Sequence, residues 1–226
     1  MSNEHTALPT ETRSVRIDAA SVALNGDLAI PQHARGVVVF AHGSGSSRFS
    51  ARNKHVAVLL QESGFATLLI DLLTPNEEDV DRRTREYRFD IERLAERLVG
   101  VSEWVSTAPA TAKLPVSLFG ASTGGAAALV AAALEPGRIA AVVSRGGRPD
   151  LAGERLARVR APTLLIVGGD DEPILELNRE ALSLLTAPAR LEVIPGATHL
   201  FEEPGALDEV ARHAVAWLES YATRAS

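Results

Sequence analysis

Six short apolar runs recur along the chain with helix-like stretches between them: GVVVFA (36–41), ATLLI (66–70), VSLF (116–119), IAAVVS (139–144), TLLIV (163–167) and LEVI (191–194). Most are unbroken β-branched or aliphatic segments rather than alternating ones, as strands are when both faces of their sheet are covered. The stretches 52–63, 90–106, 123–134, 151–158, 174–185 and 205–221 read as helices. Strands alternating with helices, joined by connections long enough for right-handed crossovers, predict an α/β fold with a mostly parallel central sheet and helices on both faces. Ahead of them, 14–17 and 21–30 read as an N-terminal antiparallel edge hairpin, the second strand interrupted at Asn25-Gly26-Asp27, a tight-turn context. Residues 1–13 are polar and read as a flexible tail, which leaves 14–226 as a single domain.

Ligands of such sheets bind at the carboxyl ends of the strands, so the residues just after each strand carry the most information. The run VSLF leads directly into Gly120-Ala121-Ser122-Thr123-Gly124-Gly125, which opens a helix of very small residues. This is GxSxG between a strand and a helix. The glycines let backbones approach a strained turn, and the serine hydroxyl then projects above the sheet at the positive end of a helix. Read alone, the segment is a glycine-rich turn with a serine cap; its strand and helix make Ser122 a candidate nucleophile. The Thr123 N–H is the expected first donor to an oxyanion.

Serine is a weak nucleophile at neutral pH and needs a histidine to accept its proton, held in turn by a carboxylate. After TLLIV come Gly168-Gly169-Asp170-Asp171-Glu172-Pro173-Ile174. The spacing fits GxxDxxI, common after this strand in enzymes with such an order of residues. It selects Asp171 as the orienting acid, with Asp170 the alternative; these acids also have the residue type that caps a helix at Ile174. After the last strand, Pro195-Gly196-Ala197-Thr198-His199 puts a histidine in a loop, as a general base requires. Ser122, Asp171 and His199 thus follow one another in the chain order this type of site produces. His5, His33, His55 and His213 fall in the tail or on surface elements.

His42-Gly43-Ser44-Gly45-Ser46-Ser47 follows GVVVFA and offers backbone N–H groups. The Ser44 N–H is the expected second oxyanion donor, with Gly43 or Gly45 next, and His42 is expected to shape the loop. Arg145, at the end of IAAVVS, has the chemistry to clamp a substrate carboxylate or else to pair with Asp71 or Asp150; Arg48 and Asn53 are further candidate substrate contacts. The stretch 71–90 has the length to cover part of a cleft, although its charge run reads more simply as a solvated surface. No long insertion supplies a separate lid domain, so short acyl chains are expected on the substrate.

A net charge of −6 with dispersed basic residues excludes a nucleic-acid footprint, which needs clustered cations. The chain has no cysteine, so disulfides, thiolate metal sites and cysteine nucleophiles are all excluded. A phosphate loop ending in GK[ST] and the dinucleotide fingerprint GxGxxG are both missing. Neither a cofactor nor a metal is expected. With no basic and apolar leader and no long apolar run, a cytoplasmic protein is expected, without membrane contact and acting as a monomer or small homo-oligomer on a small-molecule ester.

The HGSGSS loop, the GASTGG elbow, SRGGRPDL, LLIVGGDD and PGATHLFEEPG together resemble the dienelactone hydrolase-like branch of the α/β-hydrolases, in a serine-nucleophile bacterial subgroup sometimes joined to phosphoribosyltransferase-like domains. The resemblance runs from about His42 to the C-terminal helix. It implies the α/β-hydrolase fold and carboxylic ester hydrolysis through an acyl-enzyme. The namesake enzymes use a cysteine nucleophile where this chain has Ser122, which turns the expectation from dienelactone toward ordinary esters. Lactone or thioester hydrolysis, acyl transfer on the same triad, and a non-catalytic binding protein of the same fold are the alternatives.

Overall fold

The computed structural model describes residues 10–223. Eight strands form one sheet in the order β1-β2-β4-β3-β5-β6-β7-β8. These are β1 (Thr10–Ala19), β2 (Val22–Pro31), β3 (Gly36–Ala41), β4 (Phe65–Ile70), β5 (Val116–Ala121), β6 (Ile139–Arg145), β7 (Thr163–Gly168) and β8 (Ala189–Ile194). Only β2 runs against its neighbours, pairing antiparallel with both β1 and β4. The order and direction are those of the α/β-hydrolase fold, as expected. The strands inside the sheet are buried along their whole length because helices cover both faces, which is why they lack polar alternation.

Side chains leave a strand alternately up and down, and β3 divides accordingly. Val37, Val39 and Ala41 join the core beneath α3 (Ile91–Thr107) and α4 (Thr123–Leu134). Val38 and Phe40 join the opposite core, beneath α1 (Ala51–Glu62) and α6 (Ala206–Tyr221). In that second core Phe40 stacks on Phe119 at 4.7 Å. The remaining helices are α2 (Pro75–Thr84) and α5 (Glu172–Leu184), with a 3₁₀ segment, Pro149–Arg158, in place of the helix expected at 151–158. Its backbone is broken at Gly153.

Two expectations change. The second strand of the hairpin is not interrupted at Asn25-Gly26-Asp27; the chain turns between β1 and β2 at Ala20-Ser21, whose φ values of 48° and 63° give the two-residue left-handed turn that suits twisted strands. Asn25, Gly26 and Asp27 instead lie within an unbroken β2, where a Cβ on Gly26 would come within 3.0 Å of Leu68 Cδ1. Strand β1 begins at Thr10, inside the stretch read as tail; the rest of that reading, residues 1–9, lies outside the described residues.

The second change concerns 71–90, which contains α2. Thr74 and Glu77 form a reciprocal capping box around Pro75. Its charges are not simply solvated. Asp81 is buried at 1% exposure, accepting from the Tyr87 and Arg88 amides and from Arg88 Nε, while Glu77 bonds the buried Arg97. Among the described residues no helix is long and apolar enough to cross a membrane.

Candidate active site

Strand β5 ends at Ala121 and α4 begins at Thr123, so Ser122 alone must reverse the chain direction. It does so at φ 52°, ψ −121°, a conformation rarely adopted by a residue with a side chain. The surrounding packing enforces it. A Cβ on Gly120 would lie 2.3 Å from the Gly124 carbonyl oxygen, and one on Gly124 would lie 2.3 Å from that of Ala41. The helix is therefore pressed onto β3 and β5 at distances no other residue permits. The Ser122 N–H donates to the Arg145 carbonyl on β6 at 3.2 Å, and the Ser122 carbonyl accepts from Gly125 and Arg148.

Thr123 occupies the first helical position, and the N–H there lacks an intrahelical acceptor as every first-turn N–H does. Across from it the loop after β3 comes so close that a Cβ on Gly43 would sit 3.1 Å from Ser122 Cβ. Gly43, Ser44 and Ser122 line one cavity. His42 fixes that loop from behind: its Nε2 accepts the Leu72 N–H at 3.0 Å, which leaves Nδ1 to donate to the Gly43 carbonyl at 2.9 Å. Burial pushes the His42 pKa below 6.5, outweighing the Gly43 hydrogen bond and Asp71, so the ring is neutral, as this tautomer needs.

Asp171 and His199 come from the ends of β7 and β8. Their loops cross closely: a Cβ on Gly168 would lie 2.2 Å from the Ala197 carbonyl oxygen, and Asp170 donates its N–H to that same oxygen at 3.0 Å. The crossing puts His199 Nδ1 2.6 Å from Asp171 Oδ2. Asp171 stands at the N-cap of α5 but makes no side-chain capping bond, because its carboxylate is turned to the histidine. Asp170 is exposed. His199 in turn lines the cavity that holds Ser122.

That cavity, about 240 Å³, also takes in Arg52, Asn53 and Arg145. Arg145 reaches neither acid considered for it, since Asp71 is held by Arg48 and Asp150 by Arg148. Its Nη2 donates to Asn53 Oδ1 at 3.3 Å, and its guanidinium lies 5.7 Å from the Phe201 ring centre. Burial, with the nearby Arg52 adding repulsion, draws its pKa down to about 10. Arg48 lies apart: it bridges Asp71 and Asp27 and borders a second, more open depression together with Phe49, Leu73 and Glu78. The segment 71–90 thus walls this neighbouring groove. Arg52 carried no signal in the sequence; it stands on the first turn of α1, and only the folded chain shows that this turn faces the cavity.

The sequence model of the dienelactone hydrolase family matches residues 24–223. A crystal structure of a dienelactone hydrolase from Anabaena variabilis is 56% identical in sequence, superposes with a TM-score of 0.93, and matches 94% of this chain and 99% of its own. A protein of Mycobacterium tuberculosis named "Putative phosphoribosyl transferase" is 57% identical over 209 residues, which are 92% of this chain and 46% of the relative. The chain therefore spans about half the length of the curated relatives it matches. A cold-adapted esterase from an Arctic intertidal metagenomic library shares the fold at 18% identity, with a TM-score of 0.76 over 99% of this chain and 100% of its own.

Proposed function

The chain belongs to the dienelactone hydrolase family, and on that premise we propose that it is a serine hydrolase cleaving small carboxylic esters with short acyl chains. The observation that carries this reading is the 2.6 Å contact between His199 Nδ1 and Asp171 Oδ2 beside the strained elbow of Ser122. Asp171 holds the ring so that Nε2 is free to accept a proton. Ser122 Oγ attacks the ester carbonyl carbon as His199 takes its proton. The carbonyl oxygen becomes an oxyanion between the Thr123 and Ser44 N–H groups, which stabilise the transition state more than the ground state. Collapse breaks the bond to the alcohol oxygen, which leaves with the proton from His199. A water then gives its proton to His199 and its oxygen to the acyl carbon, releasing the acid and restoring Ser122.

The transferase name belongs to proteins about twice as long as the matched segment, and the reading offered is for the chain that carries Ser122, Asp171 and His199. A fluorophosphonate probe is expected to modify Ser122 in the native protein and to leave Ser122→Ala untouched, with turnover of p-nitrophenyl acetate lost in the same variant. Native protein that neither reacts with the probe nor turns over the ester would overturn the proposal. Acyl transfer rather than hydrolysis is read from the products when an alcohol or amine is added.

A further inference from the structure

Arg145 is an uncompensated charge in the interior. The residue is 7% exposed, its Nε and Nη1 are buried with no hydrogen-bond partner among the described residues, and no carboxylate is among the described residues that line its cavity. A buried cation is tolerated when an opposite charge or a full set of acceptors meets it, and Asn53 Oδ1 is only one acceptor. Arg52 faces the same cavity, and its Nε is also buried without a partner. Its ion pair among the described residues, Nη1 to Glu202 at 3.0 Å, is with a side chain 65% exposed, a surface pair that exchanges readily. Two positive charges thus converge beside Ser122 with no negative charge to separate them.

We propose that this chamber binds a doubly charged oxyanionic group of the substrate, a phosphate monoester, between Arg145 and Arg52. A carboxylate would neutralise one of the two cations. A phosphate monoester carries close to two negative charges at neutral pH and three acceptor oxygens, enough for both guanidinium groups. Ser44, Ser46 and Ser50 line the same chamber and have the residue type that donates to phosphate oxygens. Arg145 is fixed on β6, and its own carbonyl holds the Ser122 amide, so the phosphate site and the nucleophile are parts of one rigid frame. The phosphate is a handle: only the acyl carbon–oxygen bond breaks, and the products are a short-chain acid and a phosphorylated alcohol. The cavity of about 240 Å³ restricts the whole substrate to a compact molecule.

The reaction named here rests on the hydrolase reading, but the binding site does not, and two measurements separate them. First, inorganic phosphate is titrated calorimetrically into the native protein, Arg145→Gln and Arg52→Gln. Saturable binding to the native protein is expected, weakened at least tenfold in Arg145→Gln and to a lesser degree in Arg52→Gln; no binding to the native protein overturns the site whatever the ester assays give. Second, kcat/KM is compared for three acetate esters of matched length: 2-acetoxyethyl phosphate, 3-acetoxypropanoate and 2-methoxyethyl acetate. The phosphate ester is expected to exceed the other two at least tenfold, and that ratio to collapse in Arg145→Gln. A carboxylate or neutral ester used as well as the phosphate ester, or a preference that survives both substitutions, overturns the assignment. If Arg145→Gln does not fold, the partly exposed Arg52 position carries the test.

Discussion

Asp170 and Asp171 are neighbours of the same type, yet only one faces His199. On the proposed hydrolase reading, Asp171→Asn keeps the shape but favours the wrong imidazole tautomer, so kcat is expected to fall on the order of 10³–10⁴-fold. Asp170→Asn should leave steady-state rates within a factor of about two, because its side chain is solvated and its structural bond is made by its backbone N–H. Arg145 offers the opposite test, of stability. At about 1.4 kcal/mol per pH unit, a guanidinium whose pKa is drawn well below its ordinary value, to about 10, costs the fold on the order of 3 kcal/mol at neutral pH. Arg145→Met should therefore raise stability by about 1–3 kcal/mol in denaturant titrations while spoiling anion discrimination; an unchanged or lowered midpoint would contradict the buried-charge account. Ser122 and His199 were legible in the sequence because each stands in a short segment whose strand and loop context is local. The isolation of Arg145 was not, because the sequence gives no means to see that Asp71 and Asp150 are occupied by Arg48 and Arg148.

Among the elements, the strand and helix pattern read directly from sequence wherever burial decides the residue type, which is why β3, β5, β7 and α4 stand at or within two residues of their expected ends. The interruption expected within β2 has a physical reason. Gly26 is small because β4 approaches it, not because the chain reverses there, and periodicity does not distinguish those two uses of glycine. Helix α2 was hidden by its charges, although Thr74-Pro75 with Glu77 spells a helix start. That segment hangs on the buried Asp81. Asp81→Ala should strip Arg88 of its partner and release the stretch 71–90, seen as loss of amide-exchange protection there while β3 and β5 stay protected. Thr74→Ala, which removes one half of the capping box, is expected to cost about 1 kcal/mol and to loosen only the first turn of α2.

For the molecule as a whole, acid should act in two stages. Burial keeps the folded pKa of His42 below 6.5, so as pH falls beneath 6.5 the unfolded chain takes up a proton that the native chain refuses, and stability declines. At lower pH the carboxylates follow. Burial alone would raise Asp81 and Glu77, but the bonds from Arg88 and Tyr87 to the first and from Arg97 and Thr74 to the second outweigh it. Both folded pKa values therefore lie below the ordinary 3.8 and 4.5, and their stabilisation is lost as pH falls through them. Urea midpoints measured from pH 7.5 to 5 should show the first decline, and His42→Gln should flatten it. The elbow belongs to this scale too, since its backbone is imposed by the backbones of Ala41 on β3, Arg145 on β6 and the glycines of α4. A conformation dictated from outside is indifferent to the tool mounted in it. Replacing oxygen by sulfur in Ser122→Cys should leave the mount unaltered, so what this architecture prescribes at the elbow is a position and not an element.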